Sequence, residues 1–245
     1  LRRLEQEGAI QAYAARLDHW WSLSGSVGVT HGVVIQPSFL GTDNRLLLKA
    51  LAAYPEQLRG VAVVEPTISF AAMTEMHAHG VRGVRLNLVG SDHQLEPWIK
   101  DASFWDRLIS LQWHVEIHTD PGGLPTVLPT IPSDLKVVVD HMAKPLRAHS
   151  SDPTLKILRR LAPERAMVKL SGAYRQTCID SQMLARLLID ELGAPALLWG
   201  SDWPCTNHES WADYAQLRDS LNDWVDDASI DQVMHLNPMH VYWRR

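Results

Sequence analysis

The sequence predicts an α/β protein, a TIM (β/α)8 barrel of parallel strands that lacks its first strand in this chain. Three observations carry that reading. Short runs rich in Val, Ile and Leu alternate with longer stretches of helical periodicity, which is the rhythm of successive βα units. The runs are nearly continuous in apolar residues rather than alternating, as parallel strands covered on both faces are. The chain of 245 residues, 46% of them hydrophobic, suits one large α/β domain over residues 1–245.

The elements follow in order. Apolar spacing from Ile10 to Trp21 predicts a first helix. Strands are predicted at Thr30–Ser38, Leu58–Pro66 and Gly80–Asn87, with helices at Thr42–Tyr54 and Phe70–His79 between them. Thr42, after a glycine turn, is the expected cap of its helix. A helix over Phe104–Leu111 leads to strands at His114–His118, Leu135–His141, Ala166–Ser171 and Ala196–Asp202. Helices fit Pro153–Leu161, Ser181–Leu192 and Trp211–Trp224, and Ser229–Tyr242 reads as helical with a break at Asn237-Pro238. That makes seven strands where a closed barrel needs eight. The eighth should precede the first helix, because residues 1–29 hold no convincing strand. A doubly wound open sheet is the alternative, and no GxGxxG or GxxxxGK[ST] follows the first strand to support it. The longest loops, Val89–Ala102 and His141–Ser151, both follow strand ends, where they would face a barrel mouth.

Composition narrows the class. A formal net charge of -5 gives no basic face for nucleic acid, although a local basic pocket for an anionic substrate is compatible with it. Cys178 and Cys205 have no CxxC spacing, so neither structural zinc nor a disulfide framework is expected. No run approaches the roughly 20 apolar residues that span a bilayer, and the N-terminus does not read as a signal peptide. A cytoplasmic enzyme is the expectation, and the missing initiator Met suggests a fragment or processed form.

Polar residues gather at the C-terminal strand ends: Gln36 and Ser38, Glu65, Arg85 and Asn87, His118 and Asp120, Asp140 and His141, Ser171 with Tyr174 and Arg175, and Asp202. In a barrel these ends converge on one mouth. Asp202, in WGSDWP, could take a proton from water or hold a metal; the plainer alternative is a turn cap. His141, in VVVDHMAKP, is either a metal ligand or proton carrier, or a packed loop histidine. Asp140 before it should point away if the strand alternates. In HVEIH, His114, Glu116 and His118 share one face. His118 is nearest the mouth, and His114 is expected to be structural. A buried Glu116 needs a partner, with Lys169 the candidate unless either faces the helices. Arg85, Lys144 and Arg175 could clamp a carboxylate or stabilise an oxyanion, or be ordinary salt-bridge residues. Arg82 falls on the opposite face from Arg85. His77 and His79 read as solvated, His208 could line the pocket, and Trp203 could wall it.

The segments GVTHGVVIQPSFLGTDNR, LRGVAVVEP, GVRGVRLN, WHVEIH, VVVDHMAKP, VKLSGAYR, WGSDWPCTNHES and NPMHVYW resemble the amidohydrolase-related (amidohydrolase 2) family, the branch that contains pyrone-dicarboxylate lactonases. The resemblance spans residues 28–243. It implies an eight-stranded barrel that hydrolyses a small lactone of pyrone-dicarboxylate or sugar type. On that likeness Asp202 activates water and passes a proton to the leaving oxygen, with His141 and His118 as further catalytic residues. Arg85, Lys144, Tyr174, Arg175, Ser38 and His208 would bind substrate, with Thr42 near the same loop. Two departures stand out. The paired-histidine HxH motif of the first strand is absent, the pair His77 and His79 lying in a predicted helix. Lys144 stands where the family often has arginine, so the charge remains without the planar fork. The likeness implies either no cofactor or one divalent ion, zinc or manganese, held by His141 and Asp202 with His118 as a further ligand. A metal-dependent decarboxylase or amide hydrolase on the same barrel is the second reading, and a shortened, inactive binding or structural protein the third. Expected partners are a small lactone or carboxylate, no nucleic acid and no membrane, with homo-oligomerisation the usual prior for such enzymes.

Overall fold

The computed structural model describes residues 16–91, 95–176, 178–209 and 213–244. The apolar runs form seven strands: β1 Gly32–Ile35, β2 Leu58–Ala62, β3 Val81–Asn87, β4 His114–His118, β5 Val137–Val139, β6 Ala166–Leu170 and β7 Leu197–Trp199. All neighbours pair in parallel and in chain order from β1 to β7. The order never reverses, so the doubly wound alternative falls. Val33 and Ile35 of β1, Val61 of β2, Val138 of β5, Met167 of β6 and Leu198 of β7 pack into one cluster with Tyr242. Residues of the first and last strands meet there, so the sheet curls around a shared interior. The result is a barrel short of one strand, with β7 and β1 unpaired to each other among the described residues.

Helices cover the outer face: α1 Leu17–Ser26, α2 Arg45–Ala53, α3 Phe70–Ala78, α4 Glu96–Ile99, α5 Ala102–Ser110, α6 Leu124–Val127, α7 Pro153–Leu161, α8 Ser181–Leu192, α9 Tyr214–Trp224 and α10 Asp227–Asp231. Leu47, Leu51, Phe104, Leu108, Leu155, Leu158, Leu184 and Leu188 leave almost no surface exposed between helices and sheet. Each such side chain contributes about 1.5–3 kcal/mol through burial. Short acidic caps start the helices. Asp101, Asp152, Asp180, Asp213 and Asp226 each accept a backbone N–H of the first turn. Pro153 occupies the first turn of α7, where its missing N–H costs little.

Several boundaries differ from expectation. β1, β2, β5 and β7 end before their polar residues, which peel away from the ladder into the loops above. Thr42 does not cap α2: the turn at Gly41 (φ 55°) absorbs it, and the helix starts at Arg45. Asn44 precedes it without a side-chain capping bond, its amide instead tying the chain to Val63 through Nδ2 to the carbonyl (2.8 Å). Gln36 likewise braces the loop after β1, donating to the carbonyls of Gly41 and Asp43. The first-helix expectation over residues 10–15 and the start of the helix at 211–212 lie outside the described residues. No break occurs at Asn237-Pro238. The chain passes from α10 into wide π-helical turns at Gln232–Leu236 and Met239–Trp243, with Asn237 and Pro238 both helical. Asn237 is buried and donates to the carbonyls of Ala194 and Leu197, which anchors the turn the proline would otherwise loosen. No helix among the described residues is long and apolar enough to cross a membrane.

These last turns close the end of the barrel opposite the mouth. Tyr242 is 2% exposed and lies edge-on to His114, ring centroids 5.2 Å apart. Trp243 donates to the Glu56 carbonyl (3.0 Å) under the Arg59 guanidinium. Tyr242→Ala is expected to cost about 3 kcal/mol or more, since it removes the centre of the inner cluster and leaves a cavity. Urea unfolding measures it, and a loss under about 1 kcal/mol would mean that the plug bears no load.

Candidate active site

On the inner face of β3–β6 the sequence changes from apolar to charged. The register places Arg85 beside Glu116 and Asn87 beside His118, and period two carries Lys169 and Asp140 to the same interior. Lys169 Nζ bridges Glu116 Oε2 at 2.5 Å and Asp140 Oδ1 at 3.1 Å. Arg85 donates twice to Asp140 Oδ2, from Nε at 3.2 Å and Nη2 at 3.1 Å, and its Nε is 3.6 Å from Glu116 Oε1. Glu116 is fully buried and Asp140 is 5% exposed. Two cations balance two carboxylates, which is what allows charges to sit in a barrel core. Burial would raise Asp140, but Lys169 and Arg85 outweigh it and hold its carboxyl well below the usual range. Burial, with Asp140 alongside, pushes Glu116 up to about 7 against Lys169 and Arg85.

Asp140 was expected to point away from the mouth. It points inward, because it shares the face of Val138, two residues earlier. His141 also turns inward, since the backbone leaves the strand there. His141, Met142, Ala143 and Lys144 all have positive φ (50°, 56°, 58° and 41°). Four such non-glycine residues in succession make a strained left-handed turn, a feature concentrated at functional sites. The turn delivers His141 and Lys144 to one pocket. Gln176 braces it by donating to the His141 carbonyl (2.8 Å). Gly172 makes room for it: at φ 59°, a Cβ there would fall 2.6 Å from His141 Nδ1.

Around the mouth the side chains form one chain of contacts. Arg85 Nη2 donates to His118 Nδ1 at 3.3 Å, and Lys144 Nζ meets His118 Nε2 at 2.8 Å. The His118 and His141 rings lie edge to face, centroids 4.6 Å apart. His141 Nδ1 is 3.2 Å from Ser171 Oγ and 3.9 Å from Asp202 Oδ2. Asp202 accepts from Tyr174 Oη and from Arg175 Nε, each at 2.6 Å and both on Oδ2. Its side chain stays 20% exposed, so water reaches it. The Tyr174 ring lies tilted against His208, centroids 4.9 Å apart. Burial, then His141, hold His118 down to about 2, so its ring is neutral. Burial also lowers His141, against Asp202 and Asp140. Burial and Asp202 raise Tyr174, which keeps its hydroxyl a donor. Burial and Arg175 lower Lys144.

Arg85, His118, His141, Lys144, Tyr174, Arg175, His208 and Asp202 are thus brought together. Ser38 stands at the rim, accepting from Asn87 Nδ2 at 2.9 Å. Glu65 is exposed. Asp120 binds the loop after β3 by accepting from the Gly90 N–H (2.8 Å). His77 is half-buried rather than freely exposed, and it accepts from Trp113 Nε1 at 3.0 Å. The Trp203 ring lies edge-on to His19, with centroids 5.9 Å apart. Sequence reasoning left out Gln176 and Gly172; the glycine in SGAYRQ was the one available signal.

His118, Asp140 and His141 offer three ligand-type atoms within 4.8 Å of one another, so a His/Asp cation site is geometrically conceivable. The residues present do not fit a divalent ion well. Both His118 nitrogens face cationic donors, and both Asp140 oxygens already bind Lys169 and Arg85. A metal would have to displace ammonium or guanidinium groups from both His118 and Asp140. His141 and Asp202, the expected pair, meet at 3.9 Å through a protein–protein contact.

Comparison with known proteins places this geometry. The chain is 32% identical to a 2-pyrone-4,6-dicarboxylate hydrolase of Comamonas testosteroni, over 91% of this chain and 79% of the relative. It is 26% identical to a 4-sulfomuconolactone hydrolase of Rhizobium radiobacter, over 83% and 70%. A solved Acinetobacter baumannii chain, described as a probable 2-pyrone-4,6-dicarboxylic acid hydrolase with citric acid bound, superposes with TM-score 0.83 and 31% identity, covering 96% of this chain and 91% of its own. The family model described as Amidohydrolase matches residues 6–244, a span that takes in every strand and every side chain of the mouth; this chain therefore belongs to that amidohydrolase family and is a hydrolase.

Proposed function

We propose that this chain hydrolyses a small lactone that carries at least one carboxylate, with Asp202 as the base that activates water. The observation that carries the reading is the state of Asp202. Its two hydrogen bonds both fall on Oδ2, so Oδ1 has none among the described residues and is available for a water proton. Water then adds to the lactone carbonyl, forming one C–O bond. Collapse of the tetrahedral adduct breaks the acyl–oxygen bond of the ring, and the proton held by Asp202 passes to the departing ring oxygen. Arg175 and Tyr174 fix the carboxylate for both transfers. Lys144, Arg85 and Arg175 give the pocket positive charge that suits a substrate carboxylate, and Lys144 and the His141 ring can donate to the carbonyl oxygen as charge develops on it, with His118 holding Lys144 through Nε2. Ser38 and His208 supply polar contacts at the rim. The relatives named for lactone substrates, and the citric acid held by a solved relative, support an anionic lactone as the class.

The test is incubation of the purified chain with 2-pyrone-4,6-dicarboxylate, following loss of pyrone absorbance and product mass. The expected product is the substrate plus one water, with no carbon dioxide released. Carbon dioxide would assign the decarboxylase reading, and ammonia released from a small cyclic amide offered in place of the pyrone would assign the amide-hydrolase reading. Binding without turnover would assign an inactive binding protein.

A further inference from the structure

We propose that Lys169, paired with Glu116, is a positioning residue: it claims Glu116 so that Arg85 stays on Asp140 and keeps its place against His118. Neither residue lies at the mouth. Lys169 sits two residues below Ser171 on β6, and Glu116 two residues below His118 on β4. The geometry sets up a competition. Arg85 Nε is within 3.6 Å of Glu116 Oε1, and that oxygen is buried with no hydrogen bond among the described residues. An unpaired buried carboxylate would draw the guanidinium to itself. Lys169 prevents this with a 2.5 Å contact on Oε2. The same ammonium fixes Asp140 by Oδ1, which leaves Oδ2 to take both Arg85 hydrogen bonds. Arg85 Nη2 is then aimed at His118 Nδ1.

Charge explains why the device comes as a pair. With all four groups ionised the quartet is neutral. Lys169→Met leaves two carboxyl groups for one guanidinium, and because Lys169 is what holds the buried Glu116 down, the competition for Arg85 strengthens as pH rises and Glu116 ionises. Lys169→Met with Glu116→Gln restores one to one, with Arg85 and Asp140 as the natural partners.

This inference rests on the lactone-hydrolase reading for its kinetic arm only. The experiment therefore has two readouts. The first needs no substrate: ring 15N spectra of His118, with thermal midpoints, for Lys169→Met, Glu116→Gln and the double variant. The second is kcat and KM on whichever lactone the native chain turns over. Lys169→Met is expected to shift the His118 ring signals and lower kcat about 100-fold, the scale of a misplacement near 1 Å. Glu116→Gln is expected to lose at most about fivefold, and the double variant to return to within about tenfold of the native chain, with native-like His118 signals. A double variant as damaged as Lys169→Met would overturn the proposal, as would a Glu116→Gln loss equal to it, since either marks simple packing. If Lys169→Met fails to fold, the double variant and Glu116→Gln still decide, because the proposal requires both to fold with His118 in place. Absence of turnover in the native chain would sink the lactone reading and leave the spectroscopic arm intact.

Discussion

Asp202→Asn is expected to lower kcat at least about 100-fold with KM changed little, the usual scale for losing a positioned general base. The substitution is close to isosteric, and Asn tolerates the left-handed conformation (φ 55°) that Asp202 adopts. The side chain must still answer Tyr174 and Arg175, both of which donate to Oδ2. The amide oxygen takes that position, which puts the amide NH2 where Oδ1 stood. A donor now meets the water that needs an acceptor. Binding survives because Lys144, Arg85 and the two imidazoles are untouched. Steady-state kinetics with a thermal-melt check of folding measure the effect. Near-native turnover in a folded variant would remove Asp202 from its role and shift attention to His141.

Why Asp202 was legible from sequence and Asp140 was not has a physical basis. Strand cores are written in continuous Val, Ile and Leu, so all seven strands could be located. WGSDWP ends one of them in an isolated acid, and such a residue has few places to go except the mouth. In VVVDH two polar residues stand together at a strand end, and alternation allows only one inside. Both point inward because His141 begins a turn of four residues with positive φ, and His-Met-Ala-Lys carries no glycine to announce it. The Lys169–Glu116 pair was readable as a need, since a carboxylate inside HVEIH must find a cation, and the register shows which. The continuous helix through Asn237-Pro238 was hidden for a similar reason: it depends on Asn237 reaching the carbonyls of Ala194 and Leu197, some forty residues back.

Arg85→Met should be the most destabilising change at the site, by about 3–5 kcal/mol at neutral pH, the range seen when one partner of a buried ion pair is removed. Arg85 is 12% exposed and touches two carboxylates that are almost fully buried. The loss should also carry a signature in acid. Asp140 has its pKa in the folded chain held well below the ordinary 3.8. A depressed folded value adds stability above the unfolded pKa, and that contribution drains away as pH falls toward the folded one. Lys169 and Arg85 are the two largest groups holding it down. Without Arg85 the folded value climbs toward the unfolded value, so less stability is present at neutral pH and acid unfolding begins at higher pH. Arg85→Lys separates charge from shape. It keeps a cation near Asp140 but cannot donate two hydrogen bonds to Oδ2 and reach His118 at once, so it should recover much of the acid resistance and little of the turnover. Urea unfolding at neutral pH and an acid titration followed by circular dichroism read both quantities. An unchanged acid midpoint in Arg85→Met would mean that Lys169 alone holds Asp140, and that the guanidinium serves the substrate rather than the barrel.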